Sequence, residues 1–153
     1  MNRSKTEVAV KLPTVTINIP LVSSSVSAGF PSPADDFVEK NIDLNKYLIK
    51  HPAATFFVRV AGESMRDAGI MDGDMLIVDR AIEPYPSCIA VAVLDGEFTV
   101  KRINKKGNSV YLSPENDSFR DIPITNNNDF HVWGVVTHVI HQIHSSSIPT
   151  RNI

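Results

Sequence analysis

The chain has 153 residues, 42% of them apolar, enough for one compact domain with a real core and room for an arm. Its 15 lysines and arginines against 17 acidic residues leave a net charge of −2, which argues against a basic face that grips nucleic acid directly, so any link to DNA is expected to run through a partner. Cys88 is the one cysteine, so no internal disulfide can form, a composition that suits a reducing compartment.

No apolar run reaches membrane-spanning length, and the start Met1-Asn2-Arg3-Ser4-Lys5 lacks the apolar stretch of a signal peptide. The expected location is the cytoplasm, with no membrane contact. Residues 1–31 are rich in Ser, Thr and Val and broken by Pro13, Pro20 and Pro31. Thr14 to Ile19 alternates as a strand does, and Ser23-Ser24-Ser25-Val26-Ser27-Ala28-Gly29 is small and flexible, so this region reads as an extended arm outside the core. A domain over 32–153 is expected to follow. Ser32-Pro33-Ala34-Asp35 predicts a helix start, with Ser32 as cap, Pro33 in the first turn and Asp35 at the positive helix end, running to about Lys40. Leu44, Tyr47 and Leu48 share one face of a second short helical segment.

From Thr55 onward the pattern predicts strands at Thr55–Val60, Met75–Asp79, Ile89–Leu94, Glu97–Ile103, Ser109–Leu112 and Val132–Ile143. Asp95-Gly96 between two apolar runs signals a hairpin, and Lys106-Gly107-Asn108 and Asn127-Asn128-Asp129 mark further turns. The fold class is therefore mainly β, a partly closed barrel being one architecture that fits, with one or two short helices and a flexible N-terminal arm.

Two segments carry chemistry. Gly62-Glu63-Ser64-Met65 directly follows an apolar strand, so Ser64 can sit at a tight turn with its hydroxyl exposed and backbone N–H groups converging beside it. Arg66 stands where the α/β-hydrolase motif needs its second glycine, and taken alone the segment reads as a serine that begins a turn. None of His51, His131, His138, His141 and His144 has the neighbourhood of a triad base. A lysine can serve instead if its surroundings lower its pKa far below about 10.4. Lys101 lies on the strand from Glu97 to Ile103, sharing a face with Thr99 and Ile103, while Phe98, Val100 and Arg102 take the other. Alternation does not say which face is dry, and taken alone Lys101 reads as a solvated strand lysine.

Together, Val60-Ala61-Gly62-Glu63-Ser64-Met65-Arg66-Asp67-Ala68-Gly69-Ile70-Met71-Asp72-Gly73-Asp74, Leu76-Ile77-Val78-Asp79 and Asp95-Gly96-Glu97-Phe98-Thr99-Val100-Lys101-Arg102 closely resemble the LexA/UmuD family of self-cleaving proteins, which shares Ser-Lys chemistry with bacterial signal peptidases. Gly29-Phe30-Pro31-Ser32-Pro33-Ala34, Ile42-Asp43-Leu44-Asn45, His51-Pro52-Ala53-Ala54-Thr55 and Trp133-Gly134-Val135-Val136 resemble its UmuD branch, so the likeness covers roughly residues 27–140. The resemblance implies a LexA- and signal-peptidase-like β domain, Ser64 as nucleophile, Lys101 as general base, an oxyanion hole from the Glu63 and Ser64 amides, and a scissile bond at Ala28–Gly29. It also implies a role in the SOS response: RecA filament on single-stranded DNA stimulates cleavage, which yields a homodimeric accessory subunit for an error-prone, UmuC-type DNA polymerase. No cofactor and no metal are implied. The sequence departs from the family at Ser87-Cys88, where a Gly-Asp pair is usual; this bears on a local turn rather than on the catalytic residues.

Asp67, Asp72, Asp74 and Asp79 lack calcium-loop spacing and read as turn and cap residues. His138, His141 and His144 recur every third residue, which on a strand sends His141 to the face opposite the other two. Lys105 and Lys106 extend a small basic cluster that reads as a solvated hairpin end. Three rival functions fit the sequence less well. A phage or plasmid repressor needs a helix-turn-helix ahead of the cut, and residues 1–28 are too short and too broken for one. A signal peptidase needs a membrane anchor. A non-catalytic polymerase-binding subunit has no need of both Ser64 and Lys101.

Overall fold

The computed structural model describes residues 18–22, 28–29 and 38–143. Contacts divide the chain into two units that meet in sequence between Tyr47 and Leu48. In the first unit, strand β1 (Asn18–Val22) pairs antiparallel with β2 (Val38–Asp43), from Asn18 opposite Asp43 to Val22 opposite Val38. Val38–Lys40 is thus strand, where a helix was expected. A long-range ladder satisfies these backbone groups, and that pairing outweighs the local start signal upstream. The start signal itself, Ser32 to Asp35, lies outside the described residues, as does Thr14–Ile17 of the expected arm strand. Helix α1 (Leu44–Leu48) follows at the predicted place, its first turn capped by Asp43, whose Oδ1 accepts from the Asn45 N–H at 3.0 Å.

The second unit is a seven-stranded antiparallel sheet in the order β3-β4-β9-β5-β6-β7-β8. Its strands are β3 (Thr55–Arg59), β4 (Met75–Asp79), β5 (Ile89–Leu94), β6 (Glu97–Lys106), β7 (Ser109–Ser113), β8 (Ile122–Ile124) and β9 (Phe130–Ile140). The mainly β class is as the sequence predicted. The ladder is open, with β3 and β8 at its two ends. Asp95 and Gly96 both take positive φ, 50° and 85°, the pairing that lets a two-residue hairpin match the twist of β5 and β6. Asp95 also ties this hairpin to the turn before β9, its Oδ1 accepting from the Asp129 N–H at 2.9 Å. β8 carries no alternating run and was not anticipated; Ile122 and Ile124 flank Pro123 at the sheet edge, where proline is tolerated.

β4 is the spine. Leu76, Ile77 and Val78 are all fully buried, so its apolar run is continuous rather than alternating. Leu76 and Val78 pack with Val60, Met65, Ile70 and Val91 in one cluster, while Cys88, Ala90 and Val135 form another. Each end of β4 carries a buried aspartate clasped by a histidine: Asp74 by His141 Nδ1 at 2.5 Å and Asp79 by His51 Nδ1 at 2.6 Å. Burial pushes both carboxyls up. Hydrogen bonds from the Met71 N–H and His141 to Asp74, and from His51 and the Ala81 N–H to Asp79, more than offset it and leave both below the usual carboxylate range.

β9 carries two bulges. Pairing with β5 skips Trp133 and pairing with β4 skips Thr137. Next to Trp133, Gly134 lets β9 approach β4 closely: a Cβ there would lie 2.7 Å from Val78 Cγ1 and 3.1 Å from Arg80 Cγ. The Ser87-Cys88 departure also finds its geometry. Ser87 takes φ 70°, the conformation a glycine adopts at no cost, and Arg102 Nη1 holds its carbonyl at 2.7 Å.

Two stability changes follow. Gly134→Ala forces β9 away from Val78 and lowers unfolding free energy by about 1–3 kcal/mol, read as a lower urea midpoint. Ser87→Gly relieves the left-handed strain and raises it by about 0.5–1 kcal/mol. A Gly134→Ala midpoint equal to wild type contradicts the packing argument.

Candidate active site

Ser64 lies in the turn between β3 and a 3₁₀ turn at Arg66–Ala68. The apolar residues around it fix that turn. Val60 and Met65 are buried in the core cluster on either side, so the four residues between them must loop outward. Gly62 takes φ 91° at the start of the loop, and its N–H donates to Asp72 Oδ1 at 2.7 Å. The Val60 N–H donates to the Asp74 carbonyl at 2.8 Å, and the Gly73 N–H returns to the Val60 carbonyl at 2.9 Å. Asp72 and Asp74, two of the aspartates read from sequence as turn residues, therefore brace the serine loop.

A second loop, after β7, holds the carbonyl side of the same turn. The Ser64 carbonyl accepts from the Glu115 N–H at 2.8 Å, and the Glu115 carbonyl accepts from the Asp67 N–H at 2.8 Å. The Glu63 carbonyl accepts from Asn116 Nδ2 at 2.8 Å and from the Arg66 N–H at 3.2 Å. Drawing the Glu63 and Ser64 carbonyls to this side turns the N–H groups of the same peptide units, those of Ser64 and Met65, the opposite way. Among the described residues, neither the Glu63 nor the Ser64 N–H is engaged by an acceptor.

Lys101 reaches this turn from β6. It is only 9% exposed. Opposite it and Thr99 on β5 stand Ala90 and Ala92, both fully buried, whose small side chains leave room for a lysine stem. The dry face of β6 is thus the one carrying Thr99 and Lys101. Lys101 Nζ lies 2.9 Å from Ser64 Oγ, 3.0 Å from Thr99 Oγ1 and 3.0 Å from the Val100 carbonyl oxygen. Three oxygens accommodate both states of the amine. The ammonium donates one N–H to each; the neutral amine donates to Thr99 and Val100 and turns its lone pair to the Ser64 hydroxyl. Burial holds the Lys101 pKa below the usual lysine value, since the charged form gives up water.

Two depressions meet at this pair. One, of about 420 Å³, is lined by Val58, Ala61, Phe98, Val100 and Trp133. The other, of about 290 Å³, is lined by Gly62, Phe119, Arg120 and Ile122. Ser64 and Lys101 border both. Trp133 is re-aimed by its bulge and stacks edge-on with Phe98 at 5.8 Å between ring centres.

The structure therefore brings Ser64 and Lys101 together, beside the Ser64 N–H that no described acceptor takes. Ala28 and Gly29 are exposed at a bend in the first unit. Among the described residues no histidine joins the pair: His51 and His141 are held by Asp79 and Asp74, and His138 Nδ1 faces Thr137 Oγ1. His144 lies outside the described residues. Among the described residues no cluster of His, Cys, Asp and Glu is arranged to hold a metal ion. Glu115 and Asn116, which brace the serine turn, belong to none of the motifs legible in the sequence, and Trp133 enters there only as part of the resemblance.

The Peptidase S24-like family matches residues 20–137. The chain belongs to this family. Within it, the S24 chain is 50% identical to Protein ImpA of Salmonella typhimurium over 125 residues, covering 80% of this chain and 83% of ImpA. It is 42% identical to Protein MucA of Escherichia coli over 132 residues, 79% of this chain and 83% of MucA. It is 38% identical to the LexA repressor of Colwellia psychrerythraea over 123 residues, 80% of this chain and 57% of that repressor. The resemblance read from the sequence is borne out. No helix among the described residues is long and apolar enough to cross a membrane.

The buried amine makes a stability prediction for this S24 domain. The folded state lowers the Lys101 pKa, so between the folded value and 10.5 the unfolded chain binds more protons and stability rises with pH. Below that window the charged amine is a standing cost. Lys101→Met should raise the melting temperature at pH 7, by roughly 2–4 °C if about 1 kcal/mol is recovered. The gain should shrink as pH approaches 10.5. A variant less stable than wild type at pH 7 contradicts this account.

Proposed function

We propose that the chain is a self-cleaving serine peptidase of the SOS response, with Ser64 as nucleophile and Lys101 as general base. The observation that carries this reading is the 2.9 Å contact between Lys101 Nζ and Ser64 Oγ on a buried strand face, with desolvation favouring the neutral amine that a base must be. Membership of a peptidase family supports it.

In this mechanism the neutral Lys101 takes the Ser64 hydroxyl proton as Oγ attacks the carbonyl carbon of Ala28. The carbonyl oxygen gains negative charge and is received by the Glu63 and Ser64 N–H groups. Collapse breaks the Ala28–Gly29 bond, and the Gly29 amine leaves with the proton from Lys101. Water, deprotonated by Lys101, then releases residues 1–28 from Ser64. The arm's chemistry supports the bond: Ala28 is small, Val26 offers an aliphatic group two residues earlier, and Gly29 lets backbone pass close to the hydroxyl. An extended segment suits docking as an added strand.

The place in the cell rests on the similarity to ImpA, MucA and the LexA repressor. RecA filament on single-stranded DNA would favour the conformation in which the arm meets Ser64, a population shift that donates no catalytic group. Loss of residues 1–28 would uncover the surface on which a homodimer binds an error-prone, UmuC-type polymerase. The reading places this work in the cytoplasm, with no membrane and no direct DNA contact.

Ser64→Ala and folded Lys101→Ala should each abolish self-cleavage. The wild-type rate should climb as pH rises through the lowered Lys101 pKa. Intact-mass analysis with RecA, an ATP analogue and single-stranded DNA should give a product beginning at Gly29. Cleavage by Lys101→Ala at neutral pH, or a product with another first residue, overturns the respective assignment.

A further inference from the structure

We propose that Asn116 is a positioning residue for this site, holding the Glu63–Ser64 peptide so that the Ser64 N–H stays aimed where the oxyanion forms. The inference rests on the peptidase reading above. Its basis is the geometry of one peptide unit. In a planar trans peptide the C=O of residue i and the N–H of residue i+1 point in opposite directions. The Glu63 carbonyl and the Ser64 N–H belong to the same unit, so whatever fixes the carbonyl fixes the N–H.

Asn116 fixes it from outside the loop. Its Nδ2 donates to the Glu63 oxygen at 2.8 Å across a sequence separation of 53 residues. Its Oδ1 accepts from the Ser118 N–H at 3.0 Å, which assigns the two ends of the amide without ambiguity. The residue is only 7% exposed, so water is a poor substitute for either bond. The local alternative, the Arg66 N–H at 3.2 Å, comes from within the same turn and moves with it.

The loop that carries Asn116 is itself referenced to the strand that carries the lysine. Glu115 forms an ion pair with Arg102, the residue after Lys101 on β6, and the Glu115 N–H holds the Ser64 carbonyl at 2.8 Å. The adjacent Ser64–Met65 peptide is therefore fixed in the same way. Asn116 touches neither Ser64 Oγ nor Lys101 Nζ and takes no part in proton transfer. Its influence should fall on stabilisation of the transition-state oxygen and leave the base alone.

That separation supplies the test. Self-cleavage of the full chain is followed by intact mass from about pH 7 to 11 for wild type, Asn116→Ala, Asn116→Leu (which keeps the volume and loses the donor) and Ser64→Ala. Each Asn116 variant should cut about 10- to 100-fold more slowly on the alkaline plateau, where Lys101 is neutral. The midpoint of the pH–rate curve should stay at the wild-type value. Plateau rates within twofold of wild type overturn the proposal. So does a displaced midpoint, which would mean that Asn116 acts through the burial of Lys101. If the alanine variant does not fold, the leucine variant decides; if neither folds, Asn116 is structural and the proposal fails. A wild-type chain that never cuts, or a Ser64→Ala chain that does, removes the peptidase assignment and this inference with it, whereas a dead Ser64→Ala beside normal Asn116 variants removes this inference alone.

Discussion

Lys101 has exchanged water for three protein oxygens within 3.0 Å, and much of the second unit serves that exchange. A charged amine resists such a place, so the fold must hold it there with apolar packing on both sides of β6. Alanines on β5 make the space, and the buried runs of β4 and β5 provide the stability against which the desolvation is set. A more open setting would restore the ordinary lysine pKa.

The serine half is built by a different device. Ser64 is placed by backbone rather than by its own side chain: Val60 and Met65 pin the loop ends in the core, and partners outside the loop hold the Glu63 and Ser64 carbonyls. Ser64, Lys101 and these bracing residues all belong to the second unit. In the proposed mechanism the machinery is complete in advance, and control lies in delivering the Ala28–Gly29 bond to it.

The strands from Thr55 to Leu112 were legible because each is an apolar run closed by a turn with specific chemistry, Asp95-Gly96 above all. β2 was not, because Ser32 to Asp35 carries a local helix signal and the strand's own justification is its pairing with β1. β8 was not, because three residues around a proline carry no period. Ser64 and Lys101 were found through the resemblance. Alternation placed Lys101 with Thr99 and could not tell which face was dry, since that depends on Ala90 and Ala92 across the ladder. Asn116 left no trace: a side chain bonding a backbone oxygen 53 residues away has no signature in spacing.

The two histidine–aspartate clasps on β4 give the domain an acid limit that involves neither Ser64 nor Lys101. Both carboxyls sit below their unfolded value of 3.8, so the stability they lend is complete above that value and is lost as pH falls through their folded values. Protonated, Asp74 would loosen its hold on His141 and on the Met71 N–H, close to where the neighbouring Asp72 braces Gly62. Acid would therefore slacken the scaffold behind the serine. The alkaline side of the pH response belongs to a proton on one amine; the acid side belongs to the mechanics of a strand fastened at both ends.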